Sequence, residues 1–388
     1  MKPKTLNCNY EMFNPEIVHS ENCYVIDAKG KRYVDFEAGV WCTSLGHNNK
    51  QINEAIIRQI NTISHVGYRY TNKIVDEAAE KLLELTDFPE GKCVFLSSGS
   101  EAVEFGVQIA KKIMDKPYFL CLDSYYLSAY GISASRNKEE WIALDLADYN
   151  GDSHGFLKDV PFDKIGAFVF EPGNASGMAQ LPPKDLINTI ESKIKETGGF
   201  IVVDEVTTGI GRTGKWFGYE HYNMRPDIVC CGKGIGNGYP VSVIAMSKYI
   251  ADKILNTDFR YAQSHQDDPL GCAVVQKVIS IIENNGIIQR AVDMGAVLES
   301  TLKDLSDRYA CIKTMRGVGL MWVLEFAHEK NLPLEKIHRE VFDEGYIVGV
   351  NPKARVLRFY PPLTIEEGQI KGLAEALDRV LLRYREDI

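Results

Sequence analysis

Hydrophobic residues change their spacing along the chain, and these changes divide it into four parts. Before about residue 45 the sequence reads as short strands and turns, for example around Gly30. From about residue 50 to residue 82 apolar residues recur at helical spacing. Short apolar runs then alternate with helical stretches. Beyond Pro269 a long helical pattern to about Arg308 is followed by further strands and helices.

The middle of the chain predicts a mainly parallel β-sheet. Its apolar runs are short and have no polar face, which is typical of strands that are buried on both sides. The runs are 93–96, 118–122, 165–170, 200–203, 227–231 and 241–246. This part is therefore predicted to be an α/β domain.

The two ends of the chain are predicted to fold together as a smaller α+β domain. The last third has strand-like runs at 321–326, 346–350 and 356–359, and a closing helix from about Glu366. No linker rich in proline and serine separates the parts. We therefore expect a large domain of residues 46–269 and a small domain built from residues 1–45 and 270–388.

Composition and charge favour an enzyme that acts on small molecules. The chain has 388 residues, of which 45% are hydrophobic and 25% are charged, as in ordinary globular proteins. Its 53 acidic and 44 basic residues give a net charge of −9, without a polybasic run, so we expect no nucleic-acid partner and no anionic membrane surface. No uncharged segment reaches the roughly 18 residues of a membrane helix, and residues 1–4 do not lead into an apolar core. We expect a cytoplasmic location.

The cysteines and histidines predict no metal site. Nine cysteines lie scattered in otherwise apolar segments, as reduced core thiols of a cytosolic protein do. Cys230 and Cys231 are adjacent and lack the spacing of a metal knuckle, and the eight histidines form no His-Glu-x-x-His pattern.

The glycine-rich segment 209–214 imitates two nucleotide-binding motifs. It fits G-x-G-x-x-G and has Asp227 about 20 residues further on, but no helix pattern follows it and Asp227 begins a strand. With Lys215 it imitates a P-loop, but Trp216 stands where a hydroxyl must bind Mg²⁺. A surface turn and direct ligand contact stay equally open for these glycines.

A second group of segments carries the parts of a pyridoxal phosphate site. Residues 97–102 place serines and a glycine where a strand turns into a helix, which suits a phosphate monoester, although a plain serine N-cap explains them too. Asp204 ends an apolar strand, where a carboxylate can keep a pyridine nitrogen protonated. Lys233 follows another strand between two glycines. Desolvation there lowers a lysine pKa and favours a Schiff base, and an exposed loop lysine is the alternative.

At these positions the sequence resembles the class III aminotransferases, the pyridoxal-phosphate enzymes of fold type I that include the acetylornithine, ornithine and 4-aminobutyrate aminotransferases. The similarity spans nearly the whole chain in short blocks that follow in one order. The blocks are 33–36, 39, 45–47, 98–102, 171–172, 204–206, 208–214, 226–229, 232–234, 268–270, 316–321 and 357–359. The resemblance implies an α/β fold with a large, mainly parallel sheet domain plus a smaller α+β domain, and pyridoxal 5′-phosphate as cofactor.

The resemblance also implies roles for the cofactor-binding residues. Lys233 corresponds to the lysine that bonds to the cofactor and moves the proton, and Asp204 to the partner of the pyridine nitrogen. The remaining matches pack against the ring or hold the phosphate: Ser98, Gly99, Ser100, Tyr125, Val206 and Ser264. A core position is the alternative for Tyr125. Ser264 matches a residue that reaches the neighbouring subunit's phosphate, which implies a homodimer with shared active sites.

For the substrate, the resemblance points to Arg358, Glu171 and Trp41. Arg358 lies in an apolar strand, and in similar enzymes this arginine grips the substrate α-carboxylate, while the glutamate matching Glu171 pairs with it when the amine has no carboxylate. A purely structural pair is the alternative. Trp41 and Tyr68 lie in regions that line the pocket mouth and favour an apolar donor, with core packing as the alternative.

Departures from the family pattern leave the substrate open. Ser128 stands where several members have an arginine that grips a distal carboxylate, and Thr207 stands in place of a glutamine near the cofactor. The segment 136–165 is also short. The sequence therefore predicts a pyridoxal phosphate-dependent aminotransferase that moves an amino group from an amino acid or ω-amine to a 2-oxo acid. An amino-acid racemase or epimerase, or an aminomutase, on the same scaffold is the alternative, and a catalytically silent binding protein is disfavoured by Lys233 and Asp204.

Overall fold

The computed structural model describes residues 6, 13, 15–174, 177–327 and 332–384, and these form three β-sheets with helices around them. The strands are β1 (Ile17–Glu21), β2 (Tyr24–Asp27), β3 (Arg32–Asp35), β4 (Lys92–Leu96), β5 (Tyr118–Leu122), β6 (Trp141–Leu144), β7 (Ile165–Phe170), β8 (Phe200–Asp204), β9 (Ile228–Cys231), β10 (Ser242–Met246), β11 (Ile312–Val318), β12 (Met321–Phe326), β13 (Tyr346–Ile347), β14 (Gly349–Asn351) and β15 (Val356–Phe359). The helices of eight or more residues are Lys50–Ile60, Lys73–Leu85, Gly99–Ile113, Lys184–Glu196, Lys248–Leu255, Pro269–Asn284, Ile287–Arg308, Leu334–Asp343 and Glu367–Leu382.

The largest sheet has seven strands in the order β4-β10-β9-β8-β7-β5-β6. The strands β5 to β9 are parallel to one another, and β10 runs antiparallel between β9 and β4. Every residue of β7, β8 and β9 is buried, as their lack of a polar face predicts. The prediction of an α/β fold with a mainly parallel sheet is confirmed.

Alternate side chains of these strands enter two separate hydrophobic cores. Val203 and Val229 pack in one cluster, while Val202 and Ile228 pack in the other. The helix Gly99–Ile113 contacts the sheet through β7 to β10, and Lys184–Glu196 contacts β7 and β8. Because β8 and β9 are parallel, with Asp204 opposite Cys230, their carboxyl ends lie at the same edge of the sheet.

The beginning and the end of the described chain pair directly with each other. Strand β13 adds to β1, β2 and β3 in parallel with β3, and the third sheet has the order β11-β12-β15-β14. The Tyr360 amide, next to β15, donates to the Phe36 carbonyl at 2.7 Å. These contacts bring residues after β3 beside residues of β15. The domain boundaries at 46 and 270 stay a prediction.

Two predicted elements prove to be divided. The helical pattern from Pro269 to Arg308 is two helices, because Gly286 has a φ of 62° and turns the chain between them. Both helices bury an apolar face, so the hydrophobic spacing continues across the break. The run 346–350 likewise splits, and β13 and β14 belong to different sheets.

Within the part of the chain that the structure describes, no helix is long and apolar enough to cross a bilayer. The eight cysteines found there are free thiols, and most of them are buried. Cys8 and residues 1–4 lie outside the described residues.

Candidate active site

Lys233 and Asp204 come from the carboxyl ends of neighbouring strands. Asp204 is the last residue of β8 and is 4% exposed, and its Oδ1 accepts a hydrogen bond from the Val206 amide at 2.9 Å. Lys233 follows β9 with a φ of 45°, a left-handed conformation that is strained for a lysine. A Cβ atom on the preceding Gly232 would lie 3.0 Å from the Gly99 Cα, so this turn packs tightly against the start of the helix Gly99–Ile113.

Burial shifts both ionisation equilibria towards the neutral forms. It raises the pKa of Asp204 to about 7, against the opposing charge of Lys233. It also lowers the pKa of Lys233, while Asp204 and Glu171 act in the opposite direction. Only the neutral amine is a nucleophile, and a lowered pKa increases the neutral fraction at a given pH. This suits covalent chemistry at Lys233.

Thr207 holds the Lys233 amine. The Lys233 Nζ donates a hydrogen bond to the Thr207 Oγ1 at 2.8 Å. The sequence marked Thr207 only as a departure from the family pattern, three residues beyond Asp204. The segment 204–207 therefore supplies the Asp204 carboxylate, the Val206 amide that binds this carboxylate, and the hydroxyl that binds the Lys233 amine.

The predicted phosphate cradle begins the helix Gly99–Ile113. The Ser98 Oγ accepts from the Glu101 amide at 3.2 Å, and the Ser100 Oγ accepts from the Ala129 amide at 3.0 Å. Each hydroxyl uses a lone pair in these bonds and keeps its own hydrogen to donate, so an N-cap and an anion site are compatible. Amides of the first helical turn have no helical partner. A Cβ atom on Gly99 would lie only 2.4 Å from Val206 Cγ1.

Ser128 and Tyr125 lie beside this cradle. The Ser128 Oγ donates to the Ser100 carbonyl at 3.1 Å, so the residue that replaces an arginine of the family supports the cradle. Tyr125 is 1% exposed within the larger hydrophobic core, and burial raises the pKa of its hydroxyl well above the usual value. That hydroxyl has no hydrogen-bond partner among the described residues.

The second carboxylate of the Asp204-Glu205 pair belongs to the scaffold. Glu205 is fully buried and accepts hydrogen bonds from the Thr208 hydroxyl at 2.8 Å and from the amides of Gly218 and Tyr219 at 2.8 and 2.7 Å.

A Cβ atom on Gly319 would lie 2.5 Å from the Thr213 carbonyl carbon. The glycine-rich segment 209–214 is thus packed against the third sheet, and only a short 3₁₀ turn follows it.

Arg358 pairs with Glu37, a residue that the sequence analysis did not single out. The Arg358 Nε donates to Glu37 Oε1 at 3.1 Å, and the Nη2 donates to Oε2 at 2.8 Å. The two positions are 321 residues apart, so no local pattern could have joined them. Glu171, the partner that the resemblance implied, is 3% exposed. Its role at Arg358 stays a prediction.

Trp41 connects the two cationic residues. The Arg358 guanidinium lies 4.6 Å from the centre of the indole ring, and the Lys233 Nζ lies 4.9 Å from it. The indole nitrogen donates to Glu37 Oε1 at 3.3 Å, and the Tyr360 ring packs at 5.4 Å. Trp41 is therefore both buried and adjacent to the reactive lysine, whereas Tyr68 is exposed.

A left-handed turn carries Trp41 into this position. Ala38, Gly39, Val40 and Trp41 all have positive φ, from 45° to 67°, which is a strained path for three residues with side chains. The Asp35 carboxylate holds the turn by accepting from the amides of Glu37 at 2.8 Å and Gly39 at 2.9 Å. These contacts join Asp35, in the block 33–36, to Gly39, the next block along the chain.

Ser264 and the possible metal ligands His265 and Asp268 lie in the segment before the helix Pro269–Asn284. Ser264 is exposed, and in the same segment Asp268 Oδ1 is 2.9 Å from His65 Nδ1. His65, His265 and Asp268 are the group of the described residues that could hold a metal ion, with ligand atoms within 4.8 Å of one another. The sequence predicted no metal site, and that prediction is untested.

Comparisons with known proteins identify the family and the fold of the chain. A model of the aminotransferase class III family matches residues 5–125 and 151–381. The chain is 29% identical over 386 residues to the acetylornithine aminotransferase of Bacillus subtilis, covering 97% of each chain, and 26% identical to the alanine/serine racemase of Pyrococcus horikoshii, covering 92% of this chain and 84% of that one. The crystal structure of an S-selective transaminase from Arthrobacter sp. has the same fold, with a TM-score of 0.89, 23% identity, and coverage of 100% of this chain and 96% of the other.

Proposed function

This chain belongs to the class III aminotransferases, a family that depends on pyridoxal phosphate, and we propose that Lys233, Asp204 and Arg358 carry out its reaction. The enzyme is an aminotransferase that moves an amino group to a 2-oxo acid. The observation that carries the assignment of its centre is that the buried Asp204 and the partly buried Lys233 lie together at the carboxyl ends of β8 and β9.

The residues at this edge of the sheet fit the cofactor. Gly99 and Gly232 pack too closely for a Cβ atom, and the start of the helix Gly99–Ile113 offers amides and hydroxyl hydrogens to a phosphate. Ser98, Gly99 and Ser100 would hold the phosphate, Tyr125 and Val206 would contact the ring, and Asp204 would pair with the ring nitrogen. When bound, pyridoxal phosphate supplies an electron sink that stabilises negative charge next to the substrate amine.

The residues around this site then have defined tasks. Lys233 would hold the cofactor through its amine, and the same amine would take and return the proton of the substrate carbon. Thr207 fixes the direction of that amine through the 2.8 Å hydrogen bond. The Trp41 and Tyr360 rings exclude water from the side where Arg358 lies.

Arg358 is proposed to bind the substrate carboxylate. Its guanidinium lies over the same indole ring as the Lys233 amine, so a carboxylate at Arg358 and an amine near Lys233 can belong to one small molecule. A guanidinium fork matches a carboxylate with two hydrogen bonds. Donors with a carboxylate, and simple amines seated against Trp41, are the substrate classes that this arrangement fits.

The test follows both products and chirality. Purified holoenzyme is incubated with a panel of amino donors and either 2-oxoglutarate or pyruvate, and the new oxo acid is measured. We expect one mole of donor-derived oxo acid per mole of new amino acid. Loss of optical purity of an amino acid without any acceptor, and without oxo acid, would instead assign the racemase or epimerase activity.

We further propose a cytoplasmic homodimer in which Ser264 completes the partner's site. Ser264 is exposed, and the contact between His65 and Asp268 places its segment beside the segment 57–70. That segment exposes several large apolar side chains, which favours an interface: Ile57, Ile60, Ile63, Tyr68 and Tyr70. Buried free thiols suit a reducing compartment. Sedimentation velocity at assay concentration should show a dimer, and an active monomer would refute it.

A further inference from the structure

We propose that Glu37 determines substrate specificity by occupying the edge of Arg358 that a substrate carboxylate needs. The inference rests on the proposed role of Arg358 and adds a competitor inside the enzyme. A substrate with a carboxylate must displace Glu37 from Arg358, whereas a simple amine leaves the pair intact.

The first support is the geometry of the pair. Glu37 binds through both oxygens to two different nitrogens of Arg358, at 3.1 and 2.8 Å, and this fork is the mode in which a guanidinium binds a free carboxylate. Two carboxylates cannot accept the same two N–H groups. The side chains of Arg358 and Glu37 are only 11% and 14% exposed, so solvent screens the pair less than it screens a surface pair.

The second support is how Glu37 is held in place. Its backbone amide is fixed by Asp35, and the left-handed turn that follows brings the Trp41 indole to its Oε1. On the other side, a Cβ atom at Gly349 would lie 2.4 Å from Glu37 Oε1 and 2.7 Å from Arg358 Nη2. The missing side chain at position 349 leaves room for the carboxylate.

The third support is the distance to the reactive amine. Arg358 and Lys233 both lie within 5 Å of the centre of the Trp41 ring, at 4.6 and 4.9 Å. Glu37 therefore interacts with Arg358 at the wall of the pocket that also holds Lys233. Its charge acts at the point where substrates with and without a carboxylate differ.

The expected effect of Glu37→Gln is opposite for the two substrate classes. Glutamine keeps an oxygen for the Trp41 indole but no longer neutralises Arg358. For donors and oxo acids with a carboxylate, KM should fall roughly tenfold, because no internal anion competes. For a simple amine, KM should rise by a similar factor, because Arg358 then lacks the charge of Glu37 beside an apolar ligand.

The experiment measures kcat and KM of the holoenzyme with two donor–acceptor pairs, L-alanine with 2-oxoglutarate and 1-phenylethylamine with pyruvate, in the wild type and in Glu37→Gln, Glu171→Gln and Arg358→Gln. Inhibition by propionate, which cannot react, reports carboxylate binding without turnover. Propionate should bind more tightly to Glu37→Gln than to the wild type. Glu37→Asp keeps the charge but is one methylene shorter, and it supplies a second test should Glu37→Gln fail to fold: its weaker fork should also tighten propionate binding.

The outcomes separate the inference from the function on which it rests. Two results would overturn the role of Glu37. In the first, Glu37→Gln changes KM equally for both substrate classes. In the second, only Glu171→Gln lowers KM for substrates with a carboxylate and raises it for the simple amine. An unchanged propionate affinity in Arg358→Gln would overturn the carboxylate site itself. Weaker propionate binding in Arg358→Gln, together with tighter binding in Glu37→Gln, supports both.

Discussion

The Lys233 amine donates a 2.8 Å hydrogen bond to the hydroxyl of Thr207, three residues beyond the Asp204 carboxylate. The bond favours the charged amine, because the hydroxyl oxygen accepts from it. Thr207→Val, which removes the acceptor at nearly constant shape, should lower the pKa of Lys233 further and move the pH–rate limb of that amine to lower pH. We expect kcat to fall about tenfold, roughly 1.4 kcal/mol, with a smaller change in KM. Thr207→Ser keeps the hydroxyl and should restore the wild-type profile.

Lys233 should be the residue that bonds to the cofactor. Reduction of the holoenzyme with borohydride followed by proteolysis and mass analysis should place the cofactor mass on the peptide that contains Lys233. Lys233→Ala should lose the visible absorption and the turnover. Lys215→Ala is the matched control and should keep both, because the Lys215 Nζ donates to the Glu220 carbonyl of the 3₁₀ turn and has no assigned role in the site. Full turnover of Lys233→Ala would contradict the assignment.

The stability of the cofactor-free protein should depend on pH through Asp204. Burial raises the pKa of Asp204 from 3.8 to about 7, so between these values the folded chain binds more protons than the unfolded chain. Stability contributed by this group is therefore present below pH 4 and is lost as the pH rises towards 7, by at most about 1.4 kcal/mol per pH unit. The Lys233 charge opposes the rise of this pKa and so narrows the pH range of the effect.

Asp204→Asn isolates that contribution. Urea unfolding of the wild type and of Asp204→Asn at several pH values should give a stability difference that grows in favour of asparagine from about pH 4 to pH 7. Burial also raises the pKa of Glu205, to about 8, but this group is present in both proteins and cancels in the difference. A difference that does not change with pH would show that the carboxylate is equally solvated in both states.

Gly99 should not tolerate a methyl group. Gly99→Ala places a Cβ atom 2.4 Å from Val206 Cγ1, so the start of the helix or the Asp204 turn must move, at a cost of about 1–3 kcal/mol. Cofactor affinity should fall with it. Gly368→Ala in the helix Glu367–Leu382 is the control, since no atom lies within 4 Å of the new Cβ, and it should leave the unfolding free energy equal or higher. Urea unfolding and cofactor titration measure both effects.

Arg358 and Glu37 should show energetic coupling. Arg358→Ala leaves a largely buried carboxylate without this cation and should destabilise the protein by about 3 kcal/mol. The same substitution should slow the half-reaction with an α-amino acid by about two to four orders of magnitude, at 1.36 kcal/mol per tenfold. The double variant Arg358→Ala/Glu37→Ala should recover about 1–3 kcal/mol relative to the sum of the single losses. Strict additivity in urea unfolding would contradict a direct pair.

The positions of residues at strand and helix ends could be predicted from the sequence, whereas their tasks stay predictions. Asp204 directly follows an apolar run, Lys233 follows another one after Gly232, and Ser98 precedes the helical pattern by one residue. Glu37 could not be identified this way, because its partner lies on a strand of the third sheet and their contact depends on how two sheets pack. Thr207 was visible only as an unusual residue, since its task depends on the path of the chain after β9.

The division of the pattern 269–308 shows a second limit. Hydrophobic spacing reports which face of a helix is buried, and both helices bury theirs, so the spacing does not change at Gly286. The Asn-Asn-Gly sequence before the second helix was the available signal. The left-handed turn at residues 38–41 had no such signal, because alanine, valine and tryptophan do not favour positive φ.

The 321-residue separation of Glu37 and Arg358 has a consequence for synthesis. Translation delivers Glu37, Trp41, Asp204 and Lys233 well before β15 leaves the ribosome. A nascent chain can thus assemble its central sheet while the specificity pocket still lacks one wall. Contacts of such high sequence separation form late, so β15 should be among the last strands to gain protection when refolding is followed by pulsed hydrogen exchange.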